Sequence, residues 1–239
     1  FDKAACAIHS EAMSSPQAKV ELLRLGKEGE PLVIIDNFSG QVDQLRKRGE
    51  QAQYQDGGAS YPGIRSWCEP DYLDIRRTLM MQIMQRVFGF QKGIKCDAST
   101  YSLVTTPPEQ LQPQQRIPHY DQAQGQLIAV MHYLDGPQSG GTAFYRHRRT
   151  GFETITPQRE AAFGIALTED EREFGMPPAR YHYGDTNRYE MIGEVEAQPD
   201  RMVLYRGRML HSGIIPDPSA LSDDPAKGRL TINMFLLGE

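Results

Sequence analysis

The sequence predicts an α+β fold whose second half is a β-sandwich or barrel. Three observations carry that prediction. Helical patterns cluster before residue 93, and after Gly93 the texture changes to short apolar runs separated by turn dipeptides. The 22 glycines and 16 prolines supply corners for many short strands. A few helices followed by many strands indicate helices set against one sheet-rich core. No stretch of linker composition divides the 239 residues, so 1–239 is read as a single domain. Within it, 1–92 holds an N-terminal strand with supporting helices and 93–239 holds the strand-rich core.

Taken in order, Val20, Leu22, Leu23 and Leu25 form a helix-like patch. Pro31–Phe38 is continuously apolar until Asp36 and is followed by Asn37 and Gly40, as in a short buried strand. Residues 41–53 suit a polar surface helix. A longer helix is expected over 69–88: Pro70 and Asp71 favour its first turn and Gly89 its end. Its apolar face is Tyr72, Ile75, Leu79, Ile83 and Val87, widened by Met80, Met81 and Met84, as in a core helix backing a sheet. Strands are expected at 94–104, 127–134, 142–147, 189–196, 201–206 and 229–237. Pro107-Pro108, Asp135-Gly136-Pro137, Gly140-Gly141 and Asp217-Pro218 punctuate them. Residues 156–188 are less regular, with a short helix around 158–165.

Composition narrows the function. A net charge of -5 argues against a nucleic-acid partner, whose binding face is usually basic. No apolar stretch approaches the ~20 residues a membrane helix needs, so no membrane partner is expected. Cys6, Cys68 and Cys96 are odd in number and lack CxxC spacing, which reads as reduced thiols and a cytoplasmic protein. Six histidines remain as the scarce ligands or bases.

Two of them form a pattern. In Pro118-His119-Tyr120-Asp121, alternate side chains of an extended segment share a face, so His119 and Asp121 point the same way. His211, in Arg208-Met-Leu-His-Ser-Gly213, is the candidate third ligand. Two histidines and one carboxylate with open positions suit non-haem Fe(II) that activates dioxygen. In the last strand, Arg229, Thr231 and Asn233 share one face while Leu230, Ile232, Met234 and Leu236 take the other. Such a guanidinium, with the Thr231 hydroxyl beside it, is suited to grip a carboxylate.

The order His-x-Asp, distal His, then Arg-x-Thr resembles the Fe(II)/2-oxoglutarate-dependent oxygenases, and within them the prolyl-4-hydroxylase-like branch. Leu-Val-Ile-Ile-Asp-Asn-Phe38 is similar to that branch's entry strand. Tyr133-Leu134 and Gly140-Gly-Thr-Ala-Phe144 resemble the strand and turn after its motif. Tyr-Pro-Gly63, Phe-Tyr-Arg-His-Arg148 and Tyr-Arg-Gly-Arg-Met-Leu-His211 resemble segments of a bacterial family of the branch. The resemblance implies a double-stranded β-helix, a jelly-roll or cupin-like barrel flanked by N-terminal helices. It implies Fe(II) held by His119, Asp121 and His211, with 2-oxoglutarate and O2 as cosubstrates. It assigns the far carboxylate of 2-oxoglutarate to Arg229, with Thr231 beside it and Tyr101 as the upstream tyrosine. The long interval between Asp121 and His211 implies an insertion near 150–188, able to form a lid or substrate loop.

The activity that the resemblance implies is that of a dioxygenase hydroxylating an unactivated C–H bond of a small molecule, amino acid or peptide side chain. Asp121 favours hydroxylation, since halogenating relatives carry a small residue there. The reading from another class is a non-catalytic cupin-like metal- or small-molecule-binding sensor. A homodimer is compatible with either. His132, on an apolar strand, reads as a core histidine, and His147, among Arg146, Arg148 and Arg149, as part of a solvated charged strand end.

Overall fold

The computed structural model describes residues 17–239. Cys6 and His9 lie outside the described residues. β1 (Lys19–Leu25) and β2 (Glu30–Asp36) form an antiparallel hairpin. They are followed by α1 (Val42–Glu50), β3 (Gln55–Asp56), β4 (Gly63–Trp67), α2 (Arg77–Arg86) and β5 (Ile94–Val104). Then come β6 (Leu127–Tyr133), β7 (Gly141–His147), α3 (Glu160–Phe174), β8 (Tyr189–Glu196), β9 (Arg201–Arg206), β10 (His211–Ile214) and β11 (Leu230–Gly238). Among the described residues no helix is long and apolar enough to cross a membrane.

All six strands expected after residue 93 form. The apolar patch at 20–25, expected as helix, is instead the edge strand β1. So short a segment has too few turns to sustain a helix alone, whereas as a strand every position pairs with β2. Residues 69–88 also depart from one continuous helix: Pro70–Arg76 is a 3-10 turn, and α2 starts only at Arg77. The turn puts Tyr72 against His132 and Phe38, at ring distances of 5.5 and 6.2 Å. A 3-10 turn advances faster per residue than an α-helix, so the buried stripe shifts to Met80, Ile83 and Met84 and leaves Ile75 exposed. The short helix expected at 158–165 extends as α3 to Phe174.

Two antiparallel sheets result. The larger has strand order β1-β2-β9-β6-β11-β5-β4-β3, and the smaller β10-β7-β8. Alternation along the strands assigns each face of the larger sheet. Val33, Ile35, Ile128, Val130, Leu230 and Ile232 pack with Leu45 of α1 and Met80, Ile83 and Met84 of α2. The opposite face sends Leu32, Ile34, Ala129, Tyr133, Val203 and Tyr205 against Phe144 and Val195 of the smaller sheet. The outer face of the smaller sheet packs Ala143, Tyr145 and Tyr189 on Phe163 of α3. The space between the sheets is therefore the interior that two layers of helix flank. A hydrogen bond of 2.6 Å between the Tyr133 and Thr142 hydroxyls ties the sheets across it.

One buried carboxylate secures the helical side. Asp200 takes a left-handed backbone conformation (φ 63°) just before β9. Its carboxylate accepts hydrogen bonds from the Ser39 and Gly40 amides, the Ser39 hydroxyl and His132 Nε2, at 2.5–3.0 Å. The Tyr72 hydroxyl donates to His132 Nδ1 at 3.2 Å, so His132 is the satisfied core histidine expected. Burial acts to raise the Asp200 carboxyl, but the bonds from His132, Ser39 and Gly40 outweigh it and hold it below the ordinary value. Its stabilisation is thus present above the ordinary carboxylate range and lost as pH falls through the lower folded value. Asp200→Ala leaves several donors without a partner and is expected to cost about 3 kcal/mol. Urea unfolding at pH 7 with an unchanged slope checks it; a loss under ~0.5 kcal/mol would show that water replaces the carboxylate.

Candidate metal centre

The centre begins with a backbone bridge. His119 N–H donates to the His211 carbonyl at 2.9 Å, and His211 N–H returns a bond to His119 at 2.8 Å. This antiparallel contact continues the edge of β10 and brings the two rings to a centroid distance of 4.4 Å. Asp121 N–H donates to the Gly207 carbonyl at 2.7 Å, which fixes the third residue two positions on. The absence of a side chain at Gly207 leaves room for this approach: a Cβ there would stand 2.3 Å from Leu127 Cδ2 and 3.2 Å from Asp121 Oδ2, so the leucine side chain would have to move. One ligand atom from each of His119, Asp121 and His211 lies within 4.8 Å of the other two.

The donors suit a cation. Asp121 Oδ2 is buried without a hydrogen-bond partner and sits 3.8 Å from His211 Nε2, too far for a hydrogen bond. His211 Nδ1 lies 2.9 Å from the Met209 carbonyl, so Nδ1 carries the proton and Nε2 keeps its lone pair for the centre. Burial pushes the enclosed His211 ring down to about 4, leaving it neutral at pH 7. His119 moves the same way, through burial and then the neighbouring His211 ring, although solvent reaches its flank and His211 is the more enclosed of the two. Burial raises the Asp121 carboxyl to about 6, against the pull of His119 and Arg65. Two neutral imidazoles and a carboxylate short of partners form a metal-ready set.

Arg229 and Thr231 lie on the inter-sheet face, as their alternation requires. Arg229 Nε donates to the Ser139 carbonyl at 2.7 Å and Nη2 to Gly141 at 3.1 Å; no carboxylate comes within ion-pair distance among the described residues. Its guanidinium lies beneath β10: a Cβ built on Gly213 would be 4.0 Å from Nη2. The buried Thr231 hydroxyl donates to Asn233 Oδ1 at 2.8 Å.

Tyr101 does not join them. It pairs with Ile232 across β5 and β11, and cross-strand partners share a face, so it packs with Leu230, Ile232 and the helices. A Cβ on Gly49 of α1 would reach within 2.8 Å of its ring. The residue beside it, Ser102, pairs with Thr231 and faces the interior.

The interior also holds two residues absent from the sequence-based site, Tyr61 and Arg65. Arg65 pairs with Ser102 across β4 and β5, extending the row Arg65, Ser102, Thr231, Tyr133 across four strands. Its guanidinium stacks over the Tyr61 ring at 4.0 Å and acts electrostatically on both Asp121 and His119. The Tyr61 hydroxyl is buried beside the Ser102 hydroxyl, within the influence of Arg229 and Arg65. Tyr61 belongs to the Tyr-Pro-Gly63 segment that carries part of the family resemblance; nothing local in the sequence marks Arg65.

The 150–188 segment comes close to the same residues. The Tyr181 hydroxyl donates to the Thr106 carbonyl at 2.7 Å, and Tyr181 feels Tyr61 and Arg229. The Ser212 hydroxyl, next to His211, donates to the His182 carbonyl at 3.2 Å. His147 is not part of a solvated strand end. It is fully buried, with its ring nitrogens 2.8 Å from Asp170 Oδ2 and 2.9 Å from the Thr150 hydroxyl, and it fastens α3 to β7.

A model described as a family of unknown function, DUF6445, matches residues 16–236, and the chain belongs to that family. No curated protein matches the chain. Solved structures similar to it include the non-heme alpha ketoglutarate dependent epimerase SnoN from nogalamycin biosynthesis, at 12% identity over 87% of this chain and 79% of that one (TM-score 0.47). HygX from Streptomyces hygroscopicus, with nickel and 2-oxoglutarate bound, is similar at 13% identity over 87% and 82% (TM-score 0.48). The viral collagen prolyl hydroxylase vCPH from Paramecium bursaria Chlorella virus-1 is similar at 9% identity over 87% and 96% (TM-score 0.44).

Because Asp121 must shed its proton to ligate, metal affinity is expected to be flat above about pH 7 and to fall as pH drops through about 6. A carboxyl raised by folding also makes the metal-free fold less stable as pH rises through that window. Asp121→Asn is therefore expected to abolish metal binding while raising the unfolding midpoint of the metal-free protein by a few degrees at pH 7.5. Calorimetry with and without Ni(II) checks both; an unchanged midpoint would mean that the carboxylate is solvated.

Proposed function

We propose that this member of the DUF6445 family is an Fe(II)- and 2-oxoglutarate-dependent oxygenase that hydroxylates an unactivated C–H bond of a small molecule, amino acid or peptide side chain. The carrying observation is the convergence of His119, Asp121 and His211 with an unpartnered Asp121 oxygen between them. Two imidazoles and one carboxylate form the facial set that leaves iron open positions. The facing antiparallel sheets are what a double-stranded β-helix supplies, with the ligands at its mouth.

Bound iron with 2-oxoglutarate and O2 supplies the oxidising chemistry, yielding succinate, CO2 and hydroxylated product. The chain supplies placement. The bridge between His119 and His211 sets ligand spacing, and the Met209 carbonyl orients the distal ring. Arg229, held on two carbonyls and without a carboxylate partner among the described residues, receives the far carboxylate of 2-oxoglutarate, with the Thr231 hydroxyl on the same face of the strand. Tyr61, not Tyr101, presents a hydroxyl on that side. Tyr181 and His182 close the rim and limit water.

The test is Fe(II)- and 2-oxoglutarate-dependent succinate formation. Asp121→Ala is expected to lose at least about 100-fold, and Arg229→Gln to raise the KM for 2-oxoglutarate at least about tenfold. Tyr61→Phe is expected to raise that KM several-fold, whereas Tyr101→Phe leaves it unchanged. Wild-type protein that forms no succinate and binds neither Fe(II) nor 2-oxoglutarate would refute the proposal.

A further inference from the structure

The interior carries more positive charge than the proposed reaction uses. Arg65 makes no hydrogen bond or ion pair among the described residues, and its Nε is buried without a partner. Its guanidinium lies over the Tyr61 ring, which holds the guanidinium plane but neutralises nothing. The carboxylate acting on it is that of Asp121, more than ion-pair distance away and committed to the centre. Arg229 likewise has no carboxylate partner.

The balance of charge then identifies what is missing. Arg65 and Arg229 bring two positive charges and Asp121 one negative, while the histidines are neutral. A ferrous ion adds two positive charges and the 2-oxoglutarate dianion removes two, so one positive charge stays unbalanced, loaded or empty. An uncompensated charge in a partly desolvated interior is costly, and arginine keeps its proton. The cosubstrate's far carboxylate goes to Arg229, and its other end belongs at the metal. Arg65 is the cation left over, and it lies near enough to the centre to act electrostatically on Asp121 and His119.

We propose that Arg65 receives a carboxylate of the primary substrate, so that the enzyme oxidises an acid, with the reacting C–H bond held near the centre by that pairing. The inference rests on the iron and 2-oxoglutarate reading and narrows its substrate class. A planar guanidinium fixed by stacking, with free donors, is built for carboxylate recognition and discriminates against the neutral amide.

The probes are acetate and benzoate with their amides, acetamide and benzamide, added to protein loaded with redox-silent Ni(II) and 2-oxoglutarate. Binding is read as a shift in unfolding midpoint. At least one acid is expected to bind about tenfold or more tighter than its amide, raising the midpoint by a few degrees at saturating concentration. Arg65→Gln is expected to lose the acid response and Arg65→Lys to keep a weaker one. Because the wild-type contrast between acid and amide needs no variant, it holds even if Arg65→Gln folds poorly. Acids and amides acting alike, or an Arg65→Gln protein responding like wild type, would overturn the proposal. So would loss of the 2-oxoglutarate shift in Arg65→Gln, which would make Arg65 a cosubstrate anchor. If Ni(II) and 2-oxoglutarate give no shift in the wild type before any probe is added, it is the iron reading that fails.

Discussion

The pair of backbone hydrogen bonds between His119 and His211 is the constraint on which the centre depends. Without it the segment carrying His119 and Asp121 would be a loop reaching across the mouth, with the ligand spacing left to side-chain rotamers. With it, residues 119–121 behave as a short extension of the smaller sheet, and Asp121 is set by the further bond to Gly207. The bridge also explains why the ligands need not be close in sequence. Backbone pairing positions a site more tightly than flexible side chains, which is what a metal's directional geometry asks for.

That rigidity has an electrostatic consequence. Enclosing Asp121 and His211 raises one group's affinity for protons and lowers the other's, through the same desolvation. A metal-free centre is therefore held in a state that favours neutral groups, and a divalent cation relieves the carboxylate's loss of solvent. Stability and function pull apart at this residue, as they commonly do at built sites. Arg65 and Arg229 extend the theme, since neither has a carboxylate within ion-pair distance among the described residues.

Much of the fold and the centre is legible in the sequence. His119 and Asp121 can be placed together because a spacing of two on extended backbone needs no knowledge of the fold. Arg229 and Thr231 follow from the apolar alternation of Leu230, Ile232, Met234 and Leu236, all of which face the helices. Tyr101 escapes such a reading because its face depends on register between β5 and β11, and a shift of one residue exchanges the faces. Its neighbour Ser102 is the inward one. Arg65 and Tyr61 are hidden because β4 brings them to the centre through pairing with β5, far from either ligand in sequence. The edge strand β1 misleads for a related reason, since its partner β2, not its own pattern, decides its conformation.

The central claim, that three protein ligands hold iron with 2-oxoglutarate beside it, is tested most directly by anaerobic absorption titration. Fe(II) added to the metal-free protein, followed by 2-oxoglutarate, should produce a charge-transfer absorption that saturates at one cosubstrate per chain. His211→Ala should abolish it. Binding of 2-oxoglutarate that needs no metal, or an absorption that survives the loss of His211, would contradict the account.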